Sequence, residues 1–256
     1  MQGNEKFLRR VASYAHKHAL WREGERILAA VSGGPDSLAL LLALKLLAVK
    51  EKINIGCCCV NHHLRAAAGK EAEFVESVCR EWNIPFILKE VDVQSAVRNG
   101  GSIETAARDL RYKALREAAR GGGYAKIAVA HHGDDQAETV LYHLLRGSGV
   151  TGLSGMKPIN GDIIRPFLCV SKNEIKDFLK DFSYVPCHDE SNDVEDAVRN
   201  RIRLSLVPEL ISYNPRVTES LRRTADIFRE EDLFMEEKAD VFISSCVEHD
   251  NDKCVF

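Results

Sequence analysis

The sequence has eight cysteines but no C-x-x-C pair. That absence removes zinc ribbons, thioredoxin-like dithiols and iron–sulfur cradles from consideration. Cys57, Cys58 and Cys59 are consecutive within the apolar run INIGCCCV. Neighbours on a strand point to opposite faces, so these read as small buried hydrophobes, a use of thiols that suits a reducing cytoplasm. No stretch of ~18 uncharged apolar residues is present, which argues against a membrane-spanning helix. The opening MQGNEKFLRRVASYAHKH lacks the uninterrupted apolar segment of a secretion signal. Internal repeats and low-complexity tracts are absent too. So is any excess of positive charge. A net charge of −3 over 256 residues excludes a protein that coats nucleic acid with its whole surface, and leaves room for a local basic patch. VRNRIRLSL, with Arg199, Arg201 and Arg203, is where RNA contact would start.

What is present is an alternation of short apolar runs and amphipathic stretches. Strands are expected at 27–32, 53–60, 84–93, 125–132 and 162–168. Helices are expected at 5–20, 35–49, 69–82, 102–120, from Asp134 to about Leu145, and from a Ser171 cap onward. Strands separated by helices of this length imply right-handed crossovers and a doubly wound, mostly parallel α/β sheet. Ligands of such sheets bind outside the carboxyl ends of the strands. Three polar signatures, SGGPDS (32–37), NHHLR (61–65) and HHGDDQAET (131–139), directly follow expected strands and so converge on one sheet edge. From about residue 216 the pattern becomes purely helical. This divides the chain into a domain over 1–215 and a helical linker, or the start of a further region, over 216–256.

The turn SGGPDS lacks the Gly-Lys-Ser/Thr ending of an ATPase P-loop and the spaced glycines of a dinucleotide fold. Gly33 and Gly34 let backbone N–H groups approach an anion, Pro35 suits a first helical position, and Ser32 and Ser37 offer hydroxyls. Asp36 would repel phosphates unless a cation lay between. Magnesium, which takes one or two carboxylates plus phosphate oxygens, resolves that conflict. A zinc site built from His131, His132, Asp134 and Asp135 is disfavoured, because side chains of adjacent residues diverge. On the following helix Asp134 is placed to cap, and Asp135 and Glu138 share a face.

SGGPDS closely resembles the SGG-x-DS signature of the PP-loop ATP pyrophosphatases. VNHHLR (60–65), the AAR-x-x-RY segment within SIETAARDLRYKAL (102–115), AHHGDDQAETVLYHLLRGSGVTGLSGM (130–156) and HDESNDVEDAVRNRIRLSLVPEL (188–210) add four motifs in order. Together they resemble the tRNA(Ile)-lysidine synthetase family over residues 25–215. Many members carry further C-terminal domains that help grip the tRNA.

The resemblance implies a PP-loop fold, like that of the adenine nucleotide α-hydrolases, and two-step chemistry. ATP adenylates O2 of the wobble cytidine of the isoleucine tRNA with a CAU anticodon, releasing pyrophosphate; an amine of free L-lysine then attacks C2 and expels AMP. It implies ATP at Ser32, Gly33, Gly34, Pro35, Asp36 and Ser37, with His62 and His63 near the adenine, and magnesium at Asp36. Asp135 and Glu138 would take the cationic ends of lysine and Arg108 or Arg111 its carboxylate. A carboxylate or His132 would accept the amine's proton. Arg199, Asn200, Arg201 and Arg203 would meet the tRNA. The implied setting is cytoplasmic and off the membrane, with a homodimer compatible. Two alternatives stand beside this reading: a PP-loop tRNA 2-thiolation ligase, which commonly carries sulfur on paired cysteines, and a non-catalytic nucleotide-binding protein.

Overall fold

A computed structural model describes residues 2–61, 68–93, 103–182, 197–246, 248–250 and 253–255. The chain divides into two compact units, each discontinuous in sequence: Met1–Asp135 with Lys157–Ala197, and Gln136–Met156 with Val198–Phe256.

The first unit holds a six-stranded sheet in the order β3-β2-β1-β4-β6-β5. Its strands are β1 (Arg26–Ala30), β2 (Asn54–Asn61), β3 (Phe86–Glu90), β4 (Lys126–Ala128), β5 (Ile159–Asn160) and β6 (Ile163–Ile164). All pairings are parallel except β5 with β6. The helices are α1 (Gln2–Lys17), α2 (Pro35–Glu51), α3 (Ala68–Trp82), α4 (Ile103–Gly122) and α7 (Lys172–Lys180), with the first turn of α5 (Gly133–Leu145). The expected doubly wound, mostly parallel α/β architecture is what forms.

Strand alternation divides the core. Ile27, Ala29 and Cys57 enter one cluster with α1, α2, α3 and α7; Leu28 and Cys58 enter the other with Leu115, Ala118 and Ala119 of α4. The cysteine run thus behaves as period-2 packing requires. α2 is apolar nearly all round and is accordingly buried from Ser37 through Leu44, which fixes the loop preceding it against the core.

One expected strand is corrected. Of 162–168 only Ile163 and Ile164 pair as β6; Pro166–Cys169 forms a 3-10 turn instead. Pro166 has no N–H to donate to a ladder, so the strand ends before it. The antiparallel β5–β6 hairpin that closes this sheet edge has two residues per strand, too short for an alternation signal.

The second unit contains the rest of α5, α6 (Val150–Leu153), α8 (Ala197–Arg201) from Val198 on, a π turn over Ile202–Leu206, α9 (Val207–Tyr213), the 30-residue α10 (Val217–Cys246) and the hairpin β7 (Glu248–Asp250)–β8 (Lys253–Val255). In it Arg229 of α10 donates to the carbonyls of Ser154 and Met156. Thr151 donates to Asp232 at 2.7 Å. Among the described residues no helix is long and apolar enough to cross a membrane.

Candidate active site

Strand order reverses direction between β1 and β4, and in an open α/β sheet that switch point is where a ligand crevice forms. SGGPDS leaves the end of β1 and HHGDD the end of β4, so two of the three expected signatures meet there. The third leaves β2 at Asn61; His62 and His63 lie outside the described residues.

Gly33 adopts φ +92°, a conformation that disfavours any side chain, and Pro35 occupies the start of α2. The helix N-terminus carries no side-chain cap, leaving its first N–H groups without the usual local acceptor. The hydroxyls of Ser32 and Ser37 lie 3.2 Å apart. Ser37 Oγ also accepts the Ser32 N–H at 3.2 Å and donates to the Gly34 carbonyl at 2.9 Å. Ser37 thus ties the two ends of the loop together.

His132, Gly133, Asp134 and Asp135 form a compact hydrogen-bonded start to α5. Asp135 Oδ2 accepts the His132 N–H at 2.9 Å, while His132 Nδ1 accepts the Asp135 N–H at 3.4 Å. This is a capping box with histidine at the N-cap and aspartate at N3. It corrects the expectation that Asp134 caps this helix. Asp134 Oδ2 instead accepts the N–H of Lys172 at 2.7 Å, at the start of α7. There the expected cap Ser171 forms its own reciprocal box with Glu174.

The other edge of the His132 ring faces the loop: Nε2 lies 3.7 Å from Asp36 Oδ2. Burial opposes the imidazolium form, but Asp135, Asp36 and Asp134 together outweigh it and raise the His132 pKa above 6.5. Asp36 Oδ1 is buried and has no hydrogen-bond partner among the described residues. An orphaned carboxylate oxygen beside an uncapped helix start is the donor a hard cation takes. Among the described residues no three His, Cys, Asp or Glu side chains could hold a metal ion by themselves. Any cation here would need ligand oxygens to complete its shell.

In the second unit Glu138 is buried and held by two arginines. Arg203 binds it bidentately, Nε to Oε1 at 2.7 Å and Nη2 to Oε2 at 3.0 Å. Arg199 Nε stands 3.7 Å from Oε2, and its Nη2 reaches Thr139 Oγ1 at 3.4 Å. Of the four residues expected to meet tRNA, Arg199 and Arg203 therefore turn toward a carboxylate, Asn200 is half-buried and Arg201 is exposed. Asp135 and Glu138, expected to act as a pair, have separate partners.

On α4 the guanidinium groups of Arg108 and Arg111 lie 5.2 and 5.7 Å from the Tyr112 ring centre. Arg108 also lines a cavity of about 440 Å³ with Lys113, Arg116, Arg120 and Arg165. Sequence reasoning missed Arg165, treating it as one residue of a strand. The available signal was a lone cation inside the apolar run DIIRPFL.

A family model for the PP-loop domain matches residues 4–210. The chain is 40% identical over 246 residues to a tRNA(Ile)-lysidine synthase of Caldanaerobacter subterraneus subsp. tengcongensis, covering 94% of this chain and 52% of that protein. It is 37% identical to the tRNA(Ile)-lysidine synthase of Petrotoga mobilis, covering 88% of this chain and 74% of that one. Among solved structures, the U34-tRNA thiolase NcsA from Methanococcus maripaludis superposes with a TM-score of 0.71 at 17% identity, over 88% of this chain and 80% of the thiolase. At that identity the likeness is one of fold alone. The chain spans about half the length of several curated relatives it matches.

Proposed function

The chain belongs to the tRNA(Ile)-lysidine synthase family of PP-loop proteins, and from that membership we propose that it is an ATP-dependent ligase that converts the wobble cytidine of a CAU-anticodon isoleucine tRNA to lysidine. The observation that carries the reading is the meeting of the uncapped α2 N-terminus, the orphaned Asp36 oxygen and the braced His132 at the sheet's switch point.

In the first step cytidine O2 attacks the α-phosphorus of ATP, and the bond to the bridging oxygen breaks to release pyrophosphate. The N–H groups of Gly33, Gly34, Asp36 and Ser37 would hold the charge that gathers on that leaving group. Magnesium, when bound through Asp36, would supply Lewis-acid stabilisation of the same charge. In the second step a neutral amine of lysine attacks C2, AMP departs with O2, and the amine loses a proton. Glu138 is already matched by two guanidiniums, so the reading assigns Asp135 to the lysine ammonium and gives Glu138 the task of holding Arg203. Arg108 or Arg111 supplies the partner for the lysine carboxylate. The Nδ1 lone pair of His132 faces a backbone amide. Its role in this reading is to steady Asp36, which leaves the amine's proton to a carboxylate.

The test is to incubate the full chain with ATP, labelled lysine and unmodified tRNA and to follow label into the RNA, with AMP release measured in parallel. Label in RNA with stoichiometric AMP supports the assignment. AMP release that depends on a sulfur donor and not on lysine would instead make it a thiolation ligase, and no AMP in either case a binding protein.

A further inference from the structure

Apart from Arg108, the residues that line the cavity beside α4 take no part in the chemistry above. Lys113, Arg116 and Arg120 lie at i, i+3 and i+7 along one face of α4 and, with Arg108, are exposed around it. Arg165, directly after β6, lines it from below and is only 6% exposed. Arg165 donates to the Lys157 carbonyl at 2.7 Å, but its Nε–H is buried and meets no hydrogen-bond partner among the described residues. Burial lowers the Arg165 pKa, with Arg108 adding to it, although Tyr112 and Tyr14 pull the other way. An anion would relieve both costs. Among the described residues the balancing carboxylates are few: Asp109 on the rim, and Asp162, which holds Arg116 through two contacts of 3.0 and 3.2 Å.

The spacing and identity of the lining residues favour a polyanionic strand over a small phosphorylated molecule. At a rise of about 1.5 Å per residue, Lys113 and Arg120 stand about 10 Å apart along the helix, more than one phosphate spans. Tyr112 offers no obvious platform for a base, because Arg108, Arg111 and Arg116 all lie within 6.0 Å of its ring centre. Asn160 is the one uncharged polar side chain lining the cavity besides Tyr112. Such a surface grips sugar–phosphate backbone without reading sequence.

We propose that this cavity is a second phosphate-binding site, apart from the SGGPDS loop, that holds the backbone of the tRNA substrate. The proposal rests on tRNA being the substrate, and the experiment separates the two. Binding of fluorescein-labelled, unmodified isoleucine tRNA to the full chain is followed by anisotropy over a salt series for wild type, Lys113→Ala, Arg120→Ala, Arg120→Lys and Asp162→Asn. Each alanine variant weakens binding about three- to tenfold and flattens the slope of log affinity against log salt by about one. Arg120→Lys keeps the wild-type slope. Asp162→Asn, which releases Arg116, tightens binding about two- to threefold, a gain that damaged folding does not produce. ATP affinity without RNA stays unchanged in all four. Alanine variants with the wild-type slope overturn the proposal and leave the substrate reading standing, the more so if they lose affinity for inorganic pyrophosphate instead. A wild-type chain that binds no tRNA overturns both.

Discussion

Removing either partner of the Glu138–Arg203 pair deletes the same ion pair, yet the two deletions should cost very different amounts. The Glu138 side chain is 5% exposed, whereas those of Arg203 and Arg199 are 24% and 29% exposed. Arg203→Ala strands a carboxylate in the interior, a change that costs about 3–5 kcal/mol when no other partner remains. Arg199, at 3.7 Å, supplies part of the lost compensation, so about 2–4 kcal/mol is expected. For a chain of this size that corresponds to a fall in melting temperature of roughly 4–16 °C. Glu138→Gln leaves arginines that water already reaches, and the amide oxygen still accepts one hydrogen bond; about 1 kcal/mol is expected. Adding Glu138→Gln to Arg203→Ala removes the stranded charge, so the double variant melts above Arg203→Ala alone. Thermal unfolding of the four proteins followed by circular dichroism measures the cycle. Equal costs for the two single changes, or a double variant at their sum, would refute the claim that Glu138 is a buried charge sustained by its arginines.

Gly155 at φ +63° would carry a Cβ 2.8 Å from the Gln136 amide nitrogen, whereas Gly147 at φ +72° has nothing within 4 Å. That amide is buried, accepts the Met156 N–H at 2.7 Å and donates to Ser154 and Met156 carbonyls, so it cannot swing aside cheaply. Gly147→Ala should show only backbone strain of about 1–2 kcal/mol, and Gly155→Ala a further 1–3 kcal/mol, both read from urea unfolding; equal costs would mean that the amide is loosely held. Burial pushes the Cys58 and Cys59 thiols up to about 12 from 9.0. The native protein should leave both unmodified by a disulfide reagent at pH 8, as peptide mapping by mass spectrometry reads, and modify them on unfolding. Because the folded state holds these protons more tightly, their contribution to stability is present below about pH 9 and is lost as pH rises toward 12. Asp135→Ala should raise the lysine concentration needed for product severalfold while tRNA-dependent ATP–pyrophosphate exchange persists; parallel loss of both would return Asp135 to a purely capping role.

The sheet was legible because its signals are local. An apolar run such as ILAAV, a glycine turn and the uniformly apolar α2 each declare themselves within a dozen residues, and short parallel strands demand crossovers. The losses came where the deciding contact is distant or the element too short. Two-residue strands carry no period, and Pro166 cut an expected strand in the middle of an apolar run. Asp134 reads as a cap for its own helix because helix starts favour aspartate. Its actual partner, the N–H of Lys172, is 38 residues away.

The same distinction governs the site. HHGDD looks like a metal cluster by composition, and the structure shows instead how a helix start uses these groups. His132 and Asp135 satisfy each other's backbone, Asp134 serves a neighbouring helix, and the remaining His132 nitrogen is turned on Asp36. A sequence declares which residue types stand after which strand; it does not declare which of several carboxylates is already matched. Glu138 and Asp135 are one helical turn apart and chemically alike, yet Glu138 is paired with an arginine 65 residues away. Charge already matched by a neighbour contributes little to ligand binding, because forming the new contact means giving up the old one. Asp36 Oδ1, a carboxylate oxygen left without a partner among the described residues, is therefore more informative about ligand chemistry than the denser cluster beside it. It lies at an anion-favouring helix start, where bound phosphates would repel a second negative group unless a cation shared the loop with them.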